Sequence, residues 1–192
     1  MRDQCLHNLL PVPGGTPGLR PKLPLLDHPH FRCQTIGTID LRFTSVFIFK
    51  DVLEELCYRA IHQPHDTASS MLSGGHFTGP LGPYVEISGF RDTVPVTDSR
   101  AFIDYLRRTP SLLKPLGEEH IVGFAHFRPG QRARIAAADI LAHNTFFIAN
   151  HPVTLLIDGI NDDLALYTSD TTGRFHNVGA FLIDPIEADE AP

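Results

Sequence analysis

Apolar positions along this chain alternate between two periods, one near 2 and one near 3.6, and the alternation predicts an α/β fold. Phe43 to Phe49 (FTSVFIF) is β-branched and aromatic, which predicts a strand. Val52, Leu53, Leu56, Cys57, Ala60 and Ile61 then recur as one helical stripe, with Asp51 placed to cap it and Pro64 to end it. Met71-Leu72-Ser73-Gly74-Gly75 and Tyr84 to Phe90 read as paired strands joined across Gly79-Pro80-Leu81-Gly82-Pro83. In the second of them Val85, Ile87 and Gly89 alternate against Glu86 and Ser88. Asp98 or Ser99 caps another helix, with Phe102, Ile103 and Leu106 on its apolar side and Pro110 beyond its end. A strand over Ile121–Phe124 empties into His126-Phe127-Arg128-Pro129, followed by a helical run from about Ala133 to Ile148 and a strand over Val153–Ile157. Strands near Leu164–Thr168 and Val178–Ile183 flank the turn Asp170-Thr171-Thr172-Gly173. The order strand–helix–strand–strand–helix–strand–helix–strand–strand–strand predicts a mixed sheet flanked by helices.

The pattern weakens at both ends. Residues 1–35 carry six prolines and three glycines among scattered leucines, so they are expected to form an extended arm, either a leader or a strap docked on a neighbouring surface. Residues 36–184 then make one domain, and residues 185–192 a frayed acidic tail. At 192 residues the chain suits a single domain with a sizeable core. A net charge of −6 argues against nucleic-acid and anionic-membrane partners, which call for a basic surface. Three cysteines without CxxC spacing point to a reducing compartment. No run approaches the roughly 18 apolar residues of a membrane span and no signal-peptide pattern is present, so a soluble cytoplasmic protein is expected.

The chemistry-bearing stretch is residues 121–158. A strand that ends on His-x-Arg-Pro, with Asp139 in the first half of the next helix, builds a site at a strand end. The segment resembles the metal-binding segment of the MPN-domain family, the JAMM-motif metallopeptidases that include deubiquitinases. Their pattern is His-x-His-Pro, then a serine, then an aspartate three residues later. His126, Pro129 and Asp139 match it without insertion, while Arg128 takes the second histidine's place and Ala136 the serine's. Met71-Leu72-Ser73-Gly74 matches the end of the family's Gly-x-Leu-x-Gly strand, with Ser70 for its first glycine. The catalytic glutamate position falls on Thr67, with Asp66 one residue away. The resemblance covers roughly residues 43–183. It implies an MPN-like, cytidine-deaminase-like layered fold.

In the intact family pattern two histidines and the aspartate hold zinc, the metal activates a water, the glutamate takes its proton and the serine stabilises the oxyanion. Here Arg128 brings a permanent positive charge to the metal's place. At about 4 Å and an effective dielectric of about 20, a dication and a guanidinium repel by roughly 8 kcal/mol. Thr67 cannot act as a base at neutral pH. The expectation is therefore a catalytically silent module that binds no cofactor, in which Arg128 either pairs with Asp139 or points to solvent. Its implied partners are proteins, such as another MPN-type subunit, a ubiquitin-like protein or a second copy of the chain. The alternative is a zinc (iso)peptidase using His126, Asp139 and His143, the last one helical turn beyond Asp139, with Asp66 or Glu118 as base.

Overall fold

A computed structural model describes residues 31–62, 68–79, 82–93, 99–115, 120–147, 152–170 and 172–185. Its elements run β1 (Phe31–Ile36), β2 (Ser45–Phe49), α1 (Lys50–His62), β3 (Ser69–Gly79), β4 (Gly82–Asp92), α2 (Ser99–Arg108), a short 3-10 turn (Pro110–Leu113), β5 (His120–Phe127), α3 (Ala137–Phe146), β6 (Val153–Asp158), β7 (Asp163–Ser169), β8 (Phe175–Val178) and β9 (Ala180–Pro185). The fold is mixed α/β. Its sheet orders the strands β1-β9-β2-β4-β3-β5-β6-β7-β8, with β2/β4, β2/β9 and β5/β6 parallel and the remaining pairs antiparallel.

One face of the sheet packs on α1. The stripe Val52, Leu53, Leu56, Cys57 and Ala60 is buried against Ile48, Val85, Ala125, Leu155, Ile157 and Leu182. The other face carries α2 and α3, where Phe102, Ile103 and Leu106 meet Met71, Phe124, Ala142 and Phe147. A third cluster of Ala133, Leu156 and Ala165 fills the space beside them. Both faces of β5 and β6 are thus covered, which is why those strands read as near-continuous apolar runs.

Several elements differ from the sequence expectation, each for a physical reason. Phe31–Ile36, assigned to the arm up to residue 35, is strand β1, antiparallel to β9 and packed edge-on through Phe31 against Phe49. The expected strand 178–183 is two strands, because the chain at Gly179 leaves β7 and joins β1 and β2. Gly179 N–H donates to Thr38 O at 2.9 Å, and a Cβ there would lie 2.6 Å from Ile36 O, so only glycine fits the crossing. Strand β3 bulges at Ser73/Gly74, where a Cβ on Gly74 would lie 1.9 Å from Glu86 O. Glu86 and Ser88 are buried rather than outward, since β4 is an interior strand between β2 and β3. Helix α1 begins one residue before Asp51, which accepts from Val52 N–H (2.9 Å) within the first turn. Asp98, Pro64 and residues 1–30 and 186–192 lie outside the described residues. Among the described residues no helix is long and apolar enough to cross a membrane.

The pairing of β1 yields a test of where order begins. A chain starting at Gly37 should lose about 2–4 kcal/mol of unfolding free energy in denaturant relative to one starting at Phe31, through lost burial of Phe31, Cys33 and Ile36. Equal stability of the two chains would show that β1 adds nothing to the fold.

Candidate functional site

The site begins with β5, which runs three residues further than its apolar core suggests and carries His126 inside the strand. His126 faces Ser69 of β3 and Leu156 of β6 across the ladder. Pairing continues past the strand end, where Arg128 N–H donates to Ile157 O at 2.8 Å. Alternation therefore puts His126 and Arg128 on the side of the sheet that holds α2 and α3. Phe102 of α2 presents its ring edge-on to His126, with centroids 6.2 Å apart.

Asp139 arrives from α3. That helix starts at Ala137 rather than near Ala133, because the four preceding residues are held in another conformation. Ala133 N–H donates to the Asp163 carboxylate at 3.0 Å, and Ala136 is extended at φ −110°, ψ 163°. Ala136 has no side-chain oxygen with which to cap. Asp139, the third residue of the helix, instead reaches back to accept the Ala136 N–H at 2.8 Å, half of a capping box. Its negative charge also suits the helix N-terminus. Asp139 thus helps to start the helix it rides on, whatever else it binds.

Arg128 and Asp139 meet. Arg128 Nη2 donates to Asp139 Oδ2, and Nη1 donates to Arg134 O at 3.1 Å. Asp139 is fully buried and Arg128 only 8% exposed. Arg128 therefore does not point to solvent. Of the two dispositions open from sequence, the ion pair is the one formed. A buried pair of this kind costs desolvation on both sides, and removing one partner leaves the other charge stranded.

The remaining sequence candidates are spread around this pair. His126 Nδ1 lies 2.9 Å from Ser69 Oγ, a buried contact between β3 and β5. His143 is buried one turn beyond Asp139, but its ring is directed at β6 and β7, with Nδ1 3.1 Å from Thr154 Oγ1 and Nε2 3.3 Å from Ser169 Oγ. Phe175 of β8 packs against the same ring in a T-shaped contact at 4.5 Å. Burial pushes the His143 pKa down to about 4, so its imidazole is neutral at pH 7. Ala136 occupies the turn before α3 and contributes backbone alone. Thr67, Asp66 and Glu118 lie outside the described residues.

These residues do not fit a zinc ion. The Asp139 oxygen that would ligate it already receives a guanidinium and an amide N–H, and a fixed cation stands beside it. Among the described residues no three His, Cys, Asp or Glu side chains are grouped to hold a metal. What the arrangement does supply is rigidity: a strand end, a helix start and a loop tied together by charge-assisted hydrogen bonds.

Sequence reading missed the residue that fixes the loop. Asp158, at the end of β6, is fully buried and accepts the N–H groups of Gly130 (2.9 Å), Arg132 (2.7 Å), Ile160 (3.0 Å) and Asn161 (3.2 Å), and the Asn161 amide Nδ2 at 2.6 Å. Burial alone would raise its pKa, but the hydrogen bonds from Asn161, Gly130 and Arg132 outweigh burial and hold it below the usual carboxylate value. Asp158-Gly159 between two apolar runs is a turn signal, so its local bonds were legible. Its grip on residues 28 positions earlier was not.

His143 carries a pH prediction. In the unfolded chain its pKa is 6.5 and in the fold about 4, so between those values the unfolded state binds the extra proton. This contribution is complete above pH 6.5 and is lost as pH falls toward 4, by about 3 kcal/mol in all. His143→Gln should lose that part of the acid sensitivity in unfolding curves taken from pH 7 to 4. An unchanged slope would place the titrating group elsewhere.

No family model matches this chain, and no curated protein matches it. Among solved structures it is similar to the solution structure of protein DSY2949 from Desulfitobacterium hafniense, with 14% identity, coverage of 74% of this chain and 95% of that one, and a TM-score of 0.47.

Proposed function

We propose that this chain is a catalytically silent MPN-like (JAMM-motif) domain that serves as a protein-binding or scaffold module. The observation that carries the reading is the buried ion pair between Arg128 and Asp139, at the two positions where the resembled motif has metal ligands. A guanidinium supplies the positive charge that the aspartate would otherwise take from a metal, and it supplies it without a water to activate. The pattern of strand, loop and helix is then kept for shape. Ala136 in place of the oxyanion serine and Thr67 in place of the base agree with lost hydrolysis. In the resembled family, inactive members act as scaffolds or as dimerisation partners of active ones, and a protein partner of that kind is proposed here.

Protein purified without chelator should hold far less than one equivalent of zinc and should not cleave ubiquitin-like isopeptide linkages. Arg128→His should create measurable zinc affinity by adding an imidazole beside His126 and Asp139, while hydrolysis stays absent with Thr67 and Ala136 in place. Stoichiometric zinc in the natural chain, removed by chelator and lost in His126→Ala, would overturn the reading in favour of a zinc hydrolase with an altered ligand set.

A further inference from the structure

Arg128 also anchors a surface loop. Its Nη1 donates to Arg134 O at 3.1 Å, and Arg134 N–H closes back onto Arg132 O at 2.9 Å. Asp158 gathers the N–H groups of Gly130, Arg132 and Ile160 onto one carboxylate, and Asp163 takes that of Ala133. Between these anchors Arg132 stands at φ 62°, a left-handed conformation that side chains with a Cβ seldom adopt. The backbone is thus fixed at each step from Gly130 to Arg134, and it holds the side chains of Arg132 and Arg134 exposed.

The exposed groups share a chemistry. Among the described residues no carboxylate pairs with the guanidinium of Arg132 or Arg134. Three other arginines are neutralised locally, Arg42 by Asp40, Arg59 by Glu55 and Asp92, and Arg107 by Asp104. Arg108 and Arg174 are exposed without such a pair among the described residues and stand singly, away from this loop. Ile160, 55% exposed, lies against the same loop, its Cδ1 4.0 Å from where a Cβ on Gly130 would stand. Two uncompensated guanidinium groups beside an apolar side chain, on a preorganised backbone, suit carboxylates flanking an apolar residue.

We infer that the Gly130–Arg134 loop, together with Ile160, is the docking surface for an acidic segment of a partner protein. Arg132 and Arg134 receive its carboxylates, and Ile160 receives the apolar side chain between them. The inference rests on the scaffold reading and gives it a contact surface: the guanidinium that fills the metal position also holds the loop in shape. A short acidic segment is favoured over a nucleic acid because two guanidinium groups on one loop match a few carboxylates, whereas a polynucleotide calls for an extended basic surface, against which a net charge of −6 argues.

The test titrates the full ¹⁵N-labelled chain with a blocked peptide of glutamates around a central leucine, following amide shifts. Saturable shifts are expected at Gly130, Arg132, Ala133 and Ile160, weakening as salt rises. Arg132→Glu with Arg134→Glu should weaken binding by about tenfold or more, as two exposed charge pairs can supply. Arg107→Glu with Arg108→Glu makes the same change in net charge on exposed positions of α2 and should leave binding within about twofold. Shifts absent from the loop, or equal weakening by both double variants, would overturn the inference. So would a single-stranded RNA that shifts the loop amides more strongly than the peptide. Zinc content measured on the same sample separates the two claims. Zinc-free protein that ignores the peptide sinks the docking surface alone, whereas zinc-loaded protein sinks the scaffold reading beneath it.

Discussion

The buried contact between Arg128 and Asp139 joins the end of β5 to the first turn of α3. Arg128 continues the β5/β6 ladder through its own N–H to Ile157 O, and its guanidinium reaches the first turn of α3 and the carbonyl of Arg134. Asp139 in turn fastens the turn at Ala136. A carboxylate that is fully buried must be paired, because an isolated charge in such a place costs several kcal/mol. The sequence 126–139 is therefore constrained by electrostatics whether or not a metal ever occupied it. A tethered cation meets that constraint without any dependence on metal supply.

A second buried carboxylate works alongside the first. Asp158 closes the β6–β7 connection and simultaneously holds Gly130 and Arg132, so the loop between β5 and α3 is suspended between two acidic side chains, Asp158 and Asp163, and one basic one, Arg128. Each bond satisfies a backbone group that would otherwise be left without a partner in a partly covered region. The rigidity that results is a property usually associated with binding surfaces, where ordering a loop in advance lowers the cost of association.

Much of the architecture was legible because the periodicities are strong. The helical stripe of α1 and the apolar runs of β5 and β6 are visible in the residues themselves, as is the pairing of β3 with β4 across Gly79 and Gly82. What escaped notice depended on contacts distant in sequence. Strand β1 contains few apolar residues and exists because β9 offers it an edge, so its composition suggested an extended arm. The break at Gly179 follows from the close approach of Ile36 and Thr38, which no local pattern encodes. In the site, the spacing of Arg128 and Asp139 allowed either an ion pair or an outward arginine, and burial decided between them. The Ser69–His126 contact and the hydroxyl groups around His143 come from neighbouring strands, so helical spacing alone made His143 look like a companion of Asp139 when its ring belongs to β6 and β7.

Charge complementarity between Arg128 and Asp139 holds the end of β5 to the start of α3. The most direct measurement is a double-mutant cycle in denaturant at neutral pH with Arg128→Ala, Asp139→Asn and the combined variant. Arg128→Ala should cost about 3–5 kcal/mol by stranding a buried carboxylate, and the double variant should recover part of that loss because both charges are gone. The expected coupling is about 2 kcal/mol or more. A coupling indistinguishable from zero would mean that the two side chains do not sustain one another in solution, and the account of the site would fail with it.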